Sequence, residues 1–151
     1  MRSSELTTGR TFAVAFGNGR DFFAELQDFC IQNEVQQGYI PFFIARFSNI
    51  ELIRACPRDA DAPGRPWPRT RFQEAQAVGA GTLARDDEND EIVPHIHLSI
   101  GPEVRAPAYT GHLSRATVLF IAEMVIVEVV KPNLWRVAGP TQHGIGLLAF
   151  L

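Results

Sequence analysis

A chain of 151 residues with 46% hydrophobic, 10% aromatic and 21% charged residues has the size of one domain and is too apolar to be disordered as a whole. The net charge is −3, and the 14 basic residues are scattered, with Arg65, Arg69 and Arg71 the nearest approach to a cluster. This excludes the run of cationic side chains with which a duplex-binding module neutralises phosphate.

Met1–Glu5 leads into no apolar stretch, so no secretory leader is expected. Residues 11–16 are rich in strand formers and end at the turn signal Gly17-Asn18-Gly19. Asp21 is placed to cap a helix, because its carboxylate can accept from the free N–H groups of the first turn. Phe22, Leu26, Phe29 and Cys30 then fall on one helical face, and Gly38 closes the unit. Two strands are expected next, Tyr39–Phe47 and Asn49–Ala55, with a turn at Ser48-Asn49.

Pro57–Pro68 holds four prolines and one glycine and is predicted to be a loop. Gly64-Arg65-Pro66 within it has the core of an AT-hook but not the flanking basic residues, so an AT-hook is not expected. Phe72–Leu83 predicts a strand with a bend or bulge at Gly79 and Gly81. The acidic run Asp86–Glu91 does not have calcium-loop spacing and suits a solvated turn. Further strands are expected at Val93–Ile100, Thr110–Leu113 and Val118–Val130, with one or two more between Trp135 and Leu151. The greasiest segment, Val118–Val130, carries Glu123 and Glu128 and is shorter than the ~20 residues of a bilayer span. Cys30 and Cys56 make no disulfide framework, and free thiols in a reducing compartment place the chain in the cytoplasm. One principal helix among many strands predicts a single α+β domain over residues 1–151, built on a mainly antiparallel sheet or barrel.

Residues 93–100 read Val-Pro-His-Ile-His-Leu-Ser-Ile. Strand side chains alternate, so Ile96, Leu98 and Ile100 share a core face, while His95, His97 and Ser99 share the other. Two imidazoles at that spacing can reach one ion, and His112 is an available third. Pairing His112 with His97 brings all three to one face, and a one-residue slip sends His112 to the opposite face. The sequence leaves that register open, and with it the choice between a three-histidine metal site and polar residues on a wet sheet face. Glu123 interrupts an apolar strand pattern and, if buried, needs a partner such as a metal, a histidine N–H or an arginine. The chain contains no Gly-x-Ser-x-Gly elbow, phosphate loop or dinucleotide fingerprint. His143 falls in a turn.

Several stretches taken together resemble the PPC (plants and prokaryotes conserved) domain. They are Gly19-Arg20-Asp21-Phe22 with the helix that follows, Gly38-Tyr39-Ile40, His95-Ile96-His97-Leu98, Gly111-His112-Leu113 and Ala122-Glu123-Met124. The resemblance implies an antiparallel α+β fold and a homotrimer. It implies metal-type histidines at His95, His97 and His112, with zinc as the ion, and the family's strand glutamate at Glu123, which would have a catalytic or proton-carrying role. The fold is also similar to that of acetolactate decarboxylase, which holds zinc with three histidines. Two readings of function follow. One is a trimeric metal-binding domain acting on a small molecule by metal-assisted hydrolysis or decarboxylation. The other is a DNA-associated regulator without an AT-hook, for which the charge predicts weak or no direct duplex binding.

Overall fold

The computed structural model describes residues 2–53, 67–102, 107–137 and 146–150. Its elements are β1 (Thr7–Gly17), α1 (Phe22–Gln32), β2 (Gly38–Ile53), β3 (Arg69–Asp86), β4 (Ile92–Gly101), β5 (Tyr109–Lys131), β6 (Leu134–Val137) and β7 (Leu147–Phe150). Strand β2 pairs antiparallel with both β3 and β5, and β4 bridges β3 and β5, so β2–β3–β4–β5 close into a four-strand barrel. Strand β1 extends the sheet along the far half of β5. The β6–β7 hairpin attaches to the end of β3 through a short parallel pairing. The antiparallel expectation holds, but the α+β label fits loosely, because among the described residues an 11-residue helix accompanies a predominantly β architecture.

The two-strand expectation for residues 39–55 is corrected. β2 runs through Ser48-Asn49 because Asn49 takes a left-handed φ of 50°, which asparagine tolerates, inside a strand. The ladder to β3 continues unbroken across it, while the ladder to β5 slips, so a bulge absorbs the turn signal. The strands expected at Thr110–Leu113 and Val118–Val130 are likewise one 23-residue strand. It is long because its first residues pair with β4, its last with β1, and most of its length with β2. The irregularity expected in β3 at Gly79 and Gly81 lies across from them, between Ile40 and Phe43 of β2.

Inward-facing residues of the barrel form the core, among them Phe43, Phe47, Ile96, Leu98 and Leu113, and α1 buries Phe22, Leu26 and Cys30 against it. Asp21 caps the helix as expected, accepting from the N–H groups of Phe23 and Ala24 at 3.0 Å each. Ala84, Val129 and Leu134 form a second, smaller cluster with Tyr39, Leu148 and Phe150. Buried Gln37 fastens the β5–β6 turn: its Nε2 donates to the carbonyls of Val129 and Pro132, and its Oε1 accepts from the Leu134 N–H. Asp86 closes the acidic turn by accepting from the N–H groups of Glu88 and Asn89. Cys30 is a buried free thiol. Cys56, His143, the Gly64-Arg65-Pro66 stretch and all but the end of the Pro57–Pro68 loop lie outside the described residues. Among the described residues no helix is long and apolar enough to cross a membrane.

Among the described residues, Glu51 of β2 is the buried carboxylate. It accepts from Arg69 Nη1 at 2.5 Å, Arg71 Nε at 2.7 Å and Ser114 Oγ at 3.1 Å. The hydrogen bonds from Arg71 and Arg69 hold its pKa down at about 2, below the ordinary 4.5. A depressed folded-state pKa contributes stability that is present above the ordinary carboxylate value and is lost as pH falls through the folded value. Glu51→Gln is therefore expected to lower unfolding free energy by ~1–3 kcal/mol at neutral pH. The gap to the parent should close as pH falls from about 4.5 toward about 2. Urea titrations of both proteins across that window check this, and a gap that is independent of pH contradicts it.

Candidate metal centre

Strand β4 alternates as the sequence requires. Ile96, Leu98 and Ile100 are at most 2% exposed and point into the barrel, which leaves His95, His97 and Ser99 on the outer wall. The β4–β5 ladder pairs His97 directly with His112, so the third imidazole joins the same face. Strand β3 completes the wall, with Ala80 opposite His97 and Thr82 opposite His95. The ring centroids lie 5.1 Å (His95–His97), 4.8 Å (His95–His112) and 5.5 Å (His97–His112) apart.

One nitrogen from each ring falls within 4.8 Å of the other two, and this is the only such three-residue group among the described residues. Nitrogens sharing one tetrahedral ion at ~2.0–2.1 Å would stand ~3.4 Å apart, so modest side-chain rotations suffice to close the set. Two further observations fit a cation. His112 Nδ1 is buried and has no hydrogen-bond partner among the described residues. Burial, reinforced for His95 by the charge of Arg136, pushes the pKa of His95 down to about 4. Burial, with His97 and then Arg136 adding to it, does the same for His112. Burial lowers His97 as well. The neutral imidazole that metals require is thus the resident form at neutral pH.

The glycines of β3 explain how β4 comes close enough. A Cβ on Gly79 would stand 2.7 Å from the His97 carbonyl oxygen and 2.4 Å from the Phe43 ring. A Cβ on Gly81 would stand 2.7 Å from the His95 carbonyl oxygen. Both contacts are closer than real side chains tolerate, and one of the two groups at each point is backbone. Gly79→Ala is expected to cost ~1–3 kcal/mol and to shift the strand that carries the histidines. Chemical denaturation and the histidine proton resonances read the two effects. An alanine variant with parent stability and unchanged resonances would contradict the close approach.

Glu123 is not brought to this cluster. It is exposed, opposite Ala15 and Ile44, and stands eleven residues along β5 from His112, on the order of 30 Å. The premise of burial fails because β5 turns this position to the outer wall, so the carboxylate needs no buried partner.

Arg136 of β6 is the residue that sequence reasoning missed. It is 5% exposed, and its Nη2 donates to Thr82 Oγ1, the hydroxyl directly across from His95. Its Nε is buried without a partner among the described residues. Leu134-Trp135-Arg136-Val137 alternates, which gave a faint signal, but an arginine at an inward position reads as an ordinary edge charge until the strand is docked.

The model of the Plants and Prokaryotes Conserved (PCC) domain matches residues 3–130. Among curated protein sequences, none matches. The fold is shared with a plant- and prokaryote-conserved protein of Pyrococcus horikoshii, at TM-score 0.80 and 20% identity, covering 100% of this chain and 99% of that one. It is shared equally with a metal-containing protein of Archaeoglobus fulgidus, at TM-score 0.80 and 18% identity, covering 99% of each chain. A Bacteroides thetaiotaomicron protein provisionally called DNA-binding has the fold at TM-score 0.70 and 18% identity, covering 97% of each chain.

Proposed function

The chain belongs to the Plants and Prokaryotes Conserved (PCC) domain family, and from that premise we propose that it is a homotrimeric metal-binding domain. His95, His97 and His112 hold one divalent cation and leave a position open for a small-molecule ligand. The observation that carries this reading is the convergence of three neutral imidazoles on one wall of the barrel. Zinc suits an all-imidazole set, and a protein of like fold is described as metal-containing, which supports a cation at this site. A cation held there supplies Lewis acidity toward a carbonyl or a water, the chemistry that hydrolysis and decarboxylation share. The chain's own part is to keep the rings unprotonated by burial and to fix their spacing through the β4–β5 register.

Assembly is supported by the outer wall itself. Ile44, Val78 and Phe120 are 50%, 57% and 75% exposed. They line a groove of about 700 Å³ with Ala45 and Ile121, alongside the polar Arg46, Gln76 and Ser99. Contiguous apolar surface of this kind is ordinarily covered by another chain. The provisional designation of the Bacteroides relative favours a second reading, a DNA-associated regulator, and the net charge of −3 argues against strong direct binding to a duplex.

Elemental analysis and sedimentation of the purified protein test the proposal. One divalent cation per chain and three times the 16.8 kDa chain mass are expected. A monomer that takes up no zinc on incubation, yet binds duplex with submicromolar, steeply salt-dependent affinity, overturns it in favour of the regulator.

A further inference from the structure

Arg136 is buried at 5% exposure, yet among the described residues it has no carboxylate partner. Asp86 stands opposite it in the parallel β3–β6 register, but the Asp86 side chain is engaged with the N–H groups of its own turn. Of the five donors of the guanidinium, Nη2 meets Thr82 Oγ1, Nη1 makes a long 3.5 Å contact to the Gly146 carbonyl, and Nε–H meets no acceptor among the described residues. A buried cation with an idle donor is costly unless a counter-charge reaches it. Thr82 fixes where that charge would sit, because it holds the guanidinium directly across the β3–β4 ladder from His95. Arg136 also lies beyond residue 130, outside the stretch that the family model matches.

We propose that Arg136 is the anion-holding residue of the histidine pocket, and that the ligand of this protein is a small oxyanion, a carboxylate or a phosphate. One part of the anion accepts from Arg136 Nε–H, and another part faces the three imidazoles. A divalent cation added to the guanidinium would leave three positive charges in one half-buried pocket, and among the described residues no carboxylate pairs with Arg136, which strengthens the demand for an anionic ligand. The role of Arg136 rests on the metal-centre reading only for what the imidazole side of the ligand meets. The guanidinium and its idle donor are there with or without an ion.

The arginine Nε–H resonances of the ¹⁵N-labelled protein provide the test. The Arg136 signal is identified by its loss in Arg136→Lys, and zinc content is measured on the same samples. Acetate and inorganic phosphate are the probes, titrated separately. A saturable shift of the Arg136 Nε–H signal is expected with at least one of them. Which anion binds more tightly tells carboxylate from phosphate. Arg136→Gln should weaken binding of that anion at least about tenfold, read from the shifts of the His95, His97 and His112 ring signals. Arg136→Lys, which keeps the charge, should weaken it less. Thr82→Val keeps Arg136 and leaves the fold less exposed to a buried charge change, and it should also weaken binding. If the zinc-loaded protein shows no shift of the Nε–H signal with either anion, or if the Gln variant binds as the parent does, the proposal is overturned and the metal centre stands. If no zinc binds but the signal still shifts, the metal reading fails and the anion site stands. If no zinc binds and no shift occurs, both fail.

Discussion

Replacing His97 with alanine is expected to abolish divalent-cation binding while leaving the metal-free fold nearly as stable as the parent. His97 is the exposed member of the cluster, so truncation removes a ligand without opening a cavity, and the stability change without metal should stay within about 0.5 kcal/mol. The parent gains stability from any ligand that binds only the folded chain, about 4 kcal/mol when the free cation stands a thousandfold above its dissociation constant. Thermal unfolding with and without excess zinc separates the two contributions. The parent should show a large upward shift in Tm with zinc, and His97→Ala should show none. A variant that keeps the zinc-dependent shift would mean that the three rings do not act as one site.

Phe22→Ala is expected to remove ~3–5 kcal/mol of unfolding free energy, the range for truncating a fully buried aromatic residue. Phe22 is 0% exposed and opens α1 directly after the Asp21 cap. Its ring lies 6.0 Å from Phe16, 5.5 Å from Phe43 and 5.2 Å from Phe47, so the helix meets the barrel through this side chain. The contacts come from β1 and β2, which leaves the surrounding wall little freedom to collapse into the space. Equilibrium urea denaturation monitored by far-UV circular dichroism measures the loss. A change below about 1 kcal/mol would mean that the cluster relaxes around the missing ring.

Local patterns carried much of the fold. The helix cap at Asp21, the apolar face of Phe22, Leu26 and Cys30, and the inward set Ile96, Leu98 and Ile100 all follow from period and capping chemistry, which act over a few residues. Strand ends were harder to place. The turn signal at Ser48-Asn49 is genuine as local chemistry, but pairing on both edges of β2 holds the strand together across it. The same holds for the middle of β5, where Ser114-Arg115-Ala116 contains no strong strand former and is kept extended by its neighbour β2.

The sequence by itself determined that His95 and His97 share a face, because strand alternation depends on nothing beyond the strand. It also determined the class of chemistry those residues could do and the family whose pattern they match. Only the tertiary structure decided that His112 joins them, since a register between strands is a choice among pairings that differ by one residue and is fixed by the whole packed barrel. The same long-range packing carried Glu123 away from the histidines and turned it to solvent, although its apolar neighbours suggested burial. It also brought Arg136 in, from a four-residue strand that pairs with β3 far along the chain. Alternation is a property of one segment. Register and docking are properties of segments that meet only when the core closes, so no local pattern encodes them.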